Sequence, residues 1–216
     1  MATRTLSEAD SAGLVARYGI PTVASRRVPG PELAATAARE LGFPVVVKLN
    51  GDRIAHKSER GLVRVGLSDD AAVEQAAGAL LAAATPDDGA VDLLVARMAR
   101  GAREFVAGMS RDEHFGPCLM FGLGGVLTAA LGDAVFRLAP LDVSDAADML
   151  DELRTQDLLG AFRGEPAVDR DALVDILLAL SQLAHDEPGV ASVDLNPLVV
   201  DDGAPVAVDA LVELYA

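Results

Sequence analysis

Between residues 103 and 140 four strand-like runs follow one another with no helical pattern between them: REFVAGMSRD (103–112), PCLMFGL (117–123), VLTAAL (126–131) and AVFRLAP (134–140). Helices come only afterwards, at about 142–154 and 169–185, the second carrying Leu173, Ile176, Leu177, Leu180 and Leu183 on a 3.6-residue period. Two more strands, at about 190–200 and 204–214, close the chain. Strands grouped before helices specify an α+β unit and exclude a continuous doubly wound sheet.

The first half is organised differently. A helix at 7–18 opened by Ser7, a helix beginning at Pro29-Gly30-Pro31 and ending at Leu41-Gly42, and a long helix at 69–84 capped by Ser68-Asp69-Asp70 alternate with strands PVVVKL (44–49), GLVRVGL (61–67) and VDLLVARM (91–98). The expected architecture is two packed α/β subdomains, residues 1–98 with the N-terminal helix and residues 99–216, with a hinge near 96–102.

Charge divides along the same line. Residues 1–108 hold 13 basic and 13 acidic side chains, whereas residues 109–216 hold 5 and 20, so the whole net charge of −15 lies in the second half. Such a balance argues against nucleic acid or an anionic membrane as partner. The N-terminus has no apolar core of a signal peptide and no apolar stretch is long enough to span a membrane, which makes cytoplasmic the expected location. Cys118 is the only cysteine, which excludes an intrachain disulfide, and its apolar surroundings predict a buried, inert thiol.

Only two of the 18 basic residues are lysines, Lys48 and Lys57. In PVVVKL, Val45, Val47 and Leu49 share one face and Val46 and Lys48 the other. An ammonium there must reach water or an anion. Two readings follow: an edge lysine snorkelling to solvent, or a phosphate ligand. The loop after the strand favours the second, since His56, Lys57 and Ser58 precede Gly61 and together provide an imidazole, an ammonium and a hydroxyl near a glycine. The arrangement is not a P-loop, because no GK[ST] opens a helix.

The last two strands flank Asp201-Asp202-Gly203-Ala204, and Asp-Gly favours a two-residue type I′ turn. Asp201 then faces Ala204, and counting back along both strands puts Asn196 opposite Asp209, with Cβ atoms roughly 5 Å apart. Asp194 falls on the same face. Two readings stand here as well: a polar pair on a solvated hairpin, or oxygen ligands for a hard cation such as Mg²⁺. Pro197 would lose a ladder bond, and a bulge there would shift the register.

Other features carry less. GLGG (122–125) is either a tight turn or backbone that a ligand approaches closely. Arg137 in an apolar strand needs a carboxylate or a phosphate, His114 and His185 read as surface residues, and no Ser/His/Asp or Cys/His arrangement supports nucleophilic hydrolysis.

Taken together, PVVVK, HKSERGLVRVGL, REFVAGMSRDEHFGPCLMFGLGG, DAVFRLAPLDVSDA and DLNPL…VAVDA resemble, in order, the ATP-grasp domain of NDP-forming acyl-CoA synthetases, the β-subunit type of the succinyl-CoA synthetase superfamily. The resemblance runs from about residue 7 to the end. It implies an ATP-grasp fold with a nucleotide cleft between the two subdomains. It implies ATP/ADP and Mg²⁺ as cofactors and an acid–thiol ligase activity, in which ATP cleavage is coupled to thioester formation through an acyl phosphate and a phosphohistidine. It also implies a partner subunit carrying the CoA-binding and phosphohistidine domains.

By the same resemblance Lys48 contacts nucleotide phosphates, His56, Lys57 and Ser58 form a loop over them together with Gly61, and His56 serves as a phosphate way-station. Val95, Ala96 and Met98 form the adenine hinge, Glu104 lies on the nucleotide side of it, and Asn196 and Asp209 are the magnesium ligands. A second hypothesis is a degenerate, non-catalytic ATP-grasp subunit with a structural or regulatory role. It rests on Leu62, Ala96 and Ala129, which replace residues usual in the family.

Overall fold

The computed structural model describes residues 2–54, 57–125 and 131–216. In chain order the elements are β1 (Thr3–Thr5), α1 (Glu8–Arg17), β2 (Ser25–Val28), α2 (Pro31–Leu41), β3 (Val45–Asn50), β4 (Val63–Leu67), α3 (Asp70–Ala82) and β5 (Asp92–Arg97). They continue with β6 (Glu104–Asp112), β7 (Gly116–Leu123), β8 (Ala134–Leu138), α4 (Val143–Asp151), α5 (Arg170–Asp186), β9 (Val190–Asp201), β10 (Ala204–Ala207) and β11 (Leu211–Tyr215). This is the expected α+β class. The chain separates into two compact units, one of Thr5–Asp10 and Val23–Met98, the other of Ser11–Thr22 and Ala99–Ala216 with the N-terminal residues through Arg4. Residues 11–22 were expected with the first subdomain; they pack in the second, where the Ser11 hydroxyl accepts from the Val212 amide at 3.1 Å.

In the first unit, a four-stranded antiparallel sheet in the order β2-β5-β3-β4 is covered on one face by α2 and α3. Val45, Val47, Leu49, Leu93 and Val95 meet Ala34, Ala38, Val73, Ala77 and Leu80 in a dry core. The alternation read from PVVVKL is therefore real. Pro31 begins α2, and the Asp69 carboxylate accepts from the Ala72 amide at 2.8 Å to cap α3.

The second unit is built on a seven-stranded sheet, in the order β1-β11-β9-β6-β7-β8 with β10 also paired to β9. One face carries Phe105, Ala107, Met109, Leu119 and Phe121, all buried, and α5 packs there with Leu173, Ile176, Leu177, Leu180 and Leu183 inward. Phe105 and Phe121 stack with centroids 5.5 Å apart. Between α4 and α5 the chain runs without a long element, and the side chain of Arg103 organises it. That guanidinium, 4% exposed, donates to the carbonyls of Leu158 (3.0 Å), Gly160 (2.8 Å) and Pro166 and pairs with Glu165 at 3.0 Å.

Some expectations need correction. The run 204–214 is two strands, broken at 208–210. Cys118 is only half-buried, because it lies on the sheet face turned away from α5. The strand expected at 126–131 lies almost wholly outside the described residues, as does Ala129. Arg137 finds its carboxylate in Glu152, and His114 and His185 are exposed as expected.

Candidate functional site

In the first unit, β3 is an interior strand, which removes the reading of Lys48 as an edge lysine reaching solvent. Lys48 is 7% exposed, and its ammonium lies 2.5 Å from Oε1 of Glu8. Lys57, nine residues later, reaches the other oxygen of the same carboxylate at 2.6 Å. The chain's only two lysines thus converge on one buried glutamate from the first turn of α1. Burial by itself would raise the Glu8 carboxyl, but the charges and hydrogen bonds of the two ammoniums overcome it, and the group lies below the usual carboxylate range. No sequence signal singled out Glu8, since the partner residues lie 40 and more positions away.

The loop that carries Lys57 is fixed at both ends. The Leu62 amide donates to the Lys57 carbonyl at 2.8 Å, and the Gly61 amide to the Ser58 carbonyl at 3.1 Å, with Gly61 at a φ of +66°. Arg60 makes a two-pronged contact with Asp88, at 2.7 and 2.9 Å, and Asp88 also caps the turn at Thr85. Leu62 points into the core, 2% exposed, so its side chain does not crowd the loop. His56 lies outside the described residues.

On β5, Val95 and Ala96 are buried and paired on both sides, with β2 and β3. The amides of Arg97 and Met98 donate to the carbonyls of Ala24 (2.9 Å) and Pro44 (3.3 Å). Both amides thus have backbone partners within the unit.

In the second unit the closing hairpin follows the sequence arithmetic. Asp202 and Gly203 both have positive φ, +52° and +86°, as a type I′ turn demands, and Asp201 pairs with Ala204 through to Leu198 with Ala207. The same count resumes at Asp194 with Leu211, so Asn196 stands opposite Asp209 across the break. A bulge does form at Pro197, but on the other side of β9. There Asn196 and Pro197 together oppose the single residue Val106 of β6, and the count to β10 and β11 is kept. The Asn196–Pro197 peptide is cis.

Asp194 is mostly buried. Its carboxyl is raised first by that burial and then by the negative charge of Asp209, against a hydrogen bond from the Asn196 side chain that lowers it. Two carboxylates repelling each other beside a carboxamide oxygen form a hard-oxygen donor set that a divalent cation would relieve, so the residues present fit Mg²⁺.

Glu104 opens β6 beside GLGG. Its carbonyl accepts from the Gly124 amide at 2.8 Å, and a Cβ on Gly125 would lie 2.9 Å from its Oε2. Glu104, Leu123, Gly124, Gly125, Thr155 and Phe162 help line a cavity of about 430 Å³ within this unit. The GLGG backbone is thus approached closely by a carboxylate of the chain itself.

Among the described residues no helix is long and apolar enough to cross a membrane. An ATP-grasp domain model matches residues 2–214. The β subunit of the ADP-forming acetate–CoA ligase I of Pyrococcus furiosus is 34% identical over 210 residues, covering 96% of this chain and 90% of that one. The 4-hydroxybutyrate–CoA ligase (ADP-forming) of Nitrosopumilus maritimus is 33% identical, and the match spans 90% of this chain but 28% of that longer protein. Among solved structures, the dinucleotide-forming acetyl-coenzyme A synthetase 1 of Ca. Korarchaeum cryptofilum, bound to coenzyme A and Ca-AMPCP, superposes with a TM-score of 0.91 at 33% identity, covering 98% of this chain and 94% of that one. Another structure of that enzyme, with Mg-AMPPCP and its phosphohistidine segment pointing towards the nucleotide site, gives 0.82 at 35% identity, covering 96% and 92%. The chain belongs to the ATP-grasp family, in the branch of the ADP-forming acetate–CoA ligase β subunits.

Proposed function

We propose that the chain is the nucleotide-binding β-type subunit of an ADP-forming acyl-CoA synthetase, working in the cytoplasm with a partner that carries the CoA-binding and phosphohistidine domains. It would couple phosphoryl transfer between ATP and ADP to thioester formation from a carboxylate and CoA. The observation that carries this reading is the meeting of the two lysines at one point of a chain that otherwise uses arginine throughout. A compact, strongly hydrated ammonium with three donors suits a phosphate oxygen, whereas arginines such as Arg60, Arg103, Arg111 and Arg154 are spent on carboxylates and backbone carbonyls.

In this mechanism Lys48 and Lys57 draw the nucleotide phosphates to the first unit and stabilise the charge that spreads over the equatorial oxygens during transfer. Gly61 lets the 57–62 turn close tightly, so that Lys57 and Ser58 are presented from a fixed backbone. His56, the residue before Lys57 in the sequence, is the one we assign to receive or relay the phosphoryl group. Asn196 and Asp209, with Asp194 behind them, would hold Mg²⁺, which when bound neutralises charge on the β- and γ-phosphates. Glu104 and the GLGG backbone line the cavity of the second unit, where Glu104 is placed to orient a bound polar group.

Lys48→Ala and Asp209→Ala should each abolish nucleotide-dependent turnover when the chain is reconstituted with its α-type partner. Unchanged turnover in both variants would refute the assignment. Calorimetry with Mg²⁺ and ATP or ADP separates this reading from a degenerate subunit, since the latter predicts no binding at millimolar nucleotide.

A further inference from the structure

The two lysines do not meet by chance of packing, because the helix that supplies their common carboxylate is itself anchored to the strand that carries one of them. The Ala9 amide donates to Oδ1 of Asn50 at 3.1 Å, and Nδ2 of Asn50 donates to Asp92 at 2.7 Å. Asn50 is 1% exposed and stands two residues beyond Lys48 on β3. Ser7 caps the same turn, its hydroxyl accepting from the Asp10 amide at 3.2 Å and donating to the Asp10 carboxylate at 2.6 Å. The backbone just after Glu8 is thus held twice, through the Ala9 and Asp10 amides, and the Glu8 side chain enters a site where all three charged groups are 10% exposed or less.

We propose that Glu8 is a positioning residue for nucleotide binding: its carboxylate gathers the ammoniums of Lys48 and Lys57 into one site, from which they are presented together to the phosphates. This rests on the nucleotide-binding reading above. Without Glu8 the two buried ammoniums would lose their common carboxylate and repel each other. With Glu8 in place the cost of ordering both long side chains is met before the nucleotide arrives, which lowers what binding must supply.

The lysine count makes this testable with unusual clarity. Because Lys48 and Lys57 are the only lysines, acylation by acetic anhydride read by peptide mass spectrometry reports on these two ammoniums, with the N-terminal amine as internal reference. The full chain is labelled with and without Mg²⁺ and ATP, as wild type, Glu8→Gln and Glu8→Asp, and nucleotide affinity is measured on each by calorimetry. In the wild type both lysines should label slowly, and more slowly still with Mg²⁺ and ATP. In Glu8→Gln both should label about tenfold faster or more, and affinity should fall by about tenfold, the order expected when a charge-assisted contact is lost.

Glu8→Asp, shorter by one methylene, should restore one lysine more than the other and recover part of the affinity. It also serves if Glu8→Gln fails to fold by circular dichroism. Wild-type labelling rates or wild-type affinity in the folded glutamine variant, or in the aspartate variant should the glutamine one not fold, would overturn the proposal. If wild-type chain neither binds nucleotide nor shows protection, it is the nucleotide-binding reading that fails, and the labelling rates in the variants still report separately on whether Glu8 gathers the lysines.

Discussion

Replacing Asp209 by asparagine should remove most of the chain's stabilisation by Mg²⁺ and ATP. Asp194 lies two residues from Asn196 on β9, so Asp209, which faces Asn196, is a diagonal neighbour of Asp194 about 7 Å away. Two unit charges at that distance repel by about 2 kcal/mol at an effective dielectric constant of ~20, and by roughly half that once partial exposure of the site is allowed for. In the wild type a bound cation relieves that repulsion, and ligand at about a hundred times its Kd adds some 2.7 kcal/mol, which corresponds to roughly 5–11 °C in a chain of this length. Asparagine keeps the shape and one acceptor oxygen but loses the charge that holds the cation. Differential scanning calorimetry with and without Mg²⁺ and ATP should therefore show that increment in the wild type and little of it in the variant. A variant that keeps the wild-type increment with Mg²⁺ and ATP would refute the reasoning.

Two further outcomes follow from the loop and the glycines. Arg60→Ala releases Asp88 and with it the anchor of the 57–62 turn, so nucleotide affinity should drop several-fold without vanishing, measured by calorimetry, and the chain should melt a few degrees lower. The Arg60 guanidinium, followed by the hydrogen bonds from Thr85, holds the Asp88 carboxyl well below its unfolded value. The stabilisation is therefore complete above about pH 4 and fades as the pH falls, and the melting difference should shrink in acid. Gly101→Ala should yield no folded protein, because a Cβ there would lie 1.7 Å from the Val200 carbonyl oxygen, whereas Gly61→Ala meets no atom within 4 Å and should cost only about 1–2 kcal/mol for its positive φ. Circular dichroism and soluble yield distinguish the two.

What the sequence disclosed tracks how local the determining physics is. The closing hairpin was legible because Asp202-Gly203 demands one turn type, and the turn then fixes every pair back to Asn196 and Asp209. The alternation in PVVVKL placed Lys48 opposite the valine core for the same kind of reason. The anion that receives Lys48 was not legible. Glu8 lies 40 residues away on a helix whose acidic first turn is explained well enough by the helix dipole. The role of Pro197 was half legible: a bulge was expected, but which neighbour of β9 would absorb it depends on β6, a strand some 90 residues earlier. The amide partner of Met98, the Pro44 carbonyl, was not legible either, because it lies across the sheet end and carries no sequence mark.

The guanidinium of Arg103 has a bearing on how this subunit can diverge. Three of its four partners in the 158–166 segment are main-chain carbonyls, of Leu158, Gly160 and Pro166. Such contacts read the path of the chain and are indifferent to which side chains it carries. The segment can thus change residue by residue with little effect on its course, while a one-residue insertion or deletion would carry the carbonyls off the fork. Since Leu158, Phe162 and Arg163 of this stretch line the cavity beside Glu104, its lining can be respecified by substitution alone, at constant length.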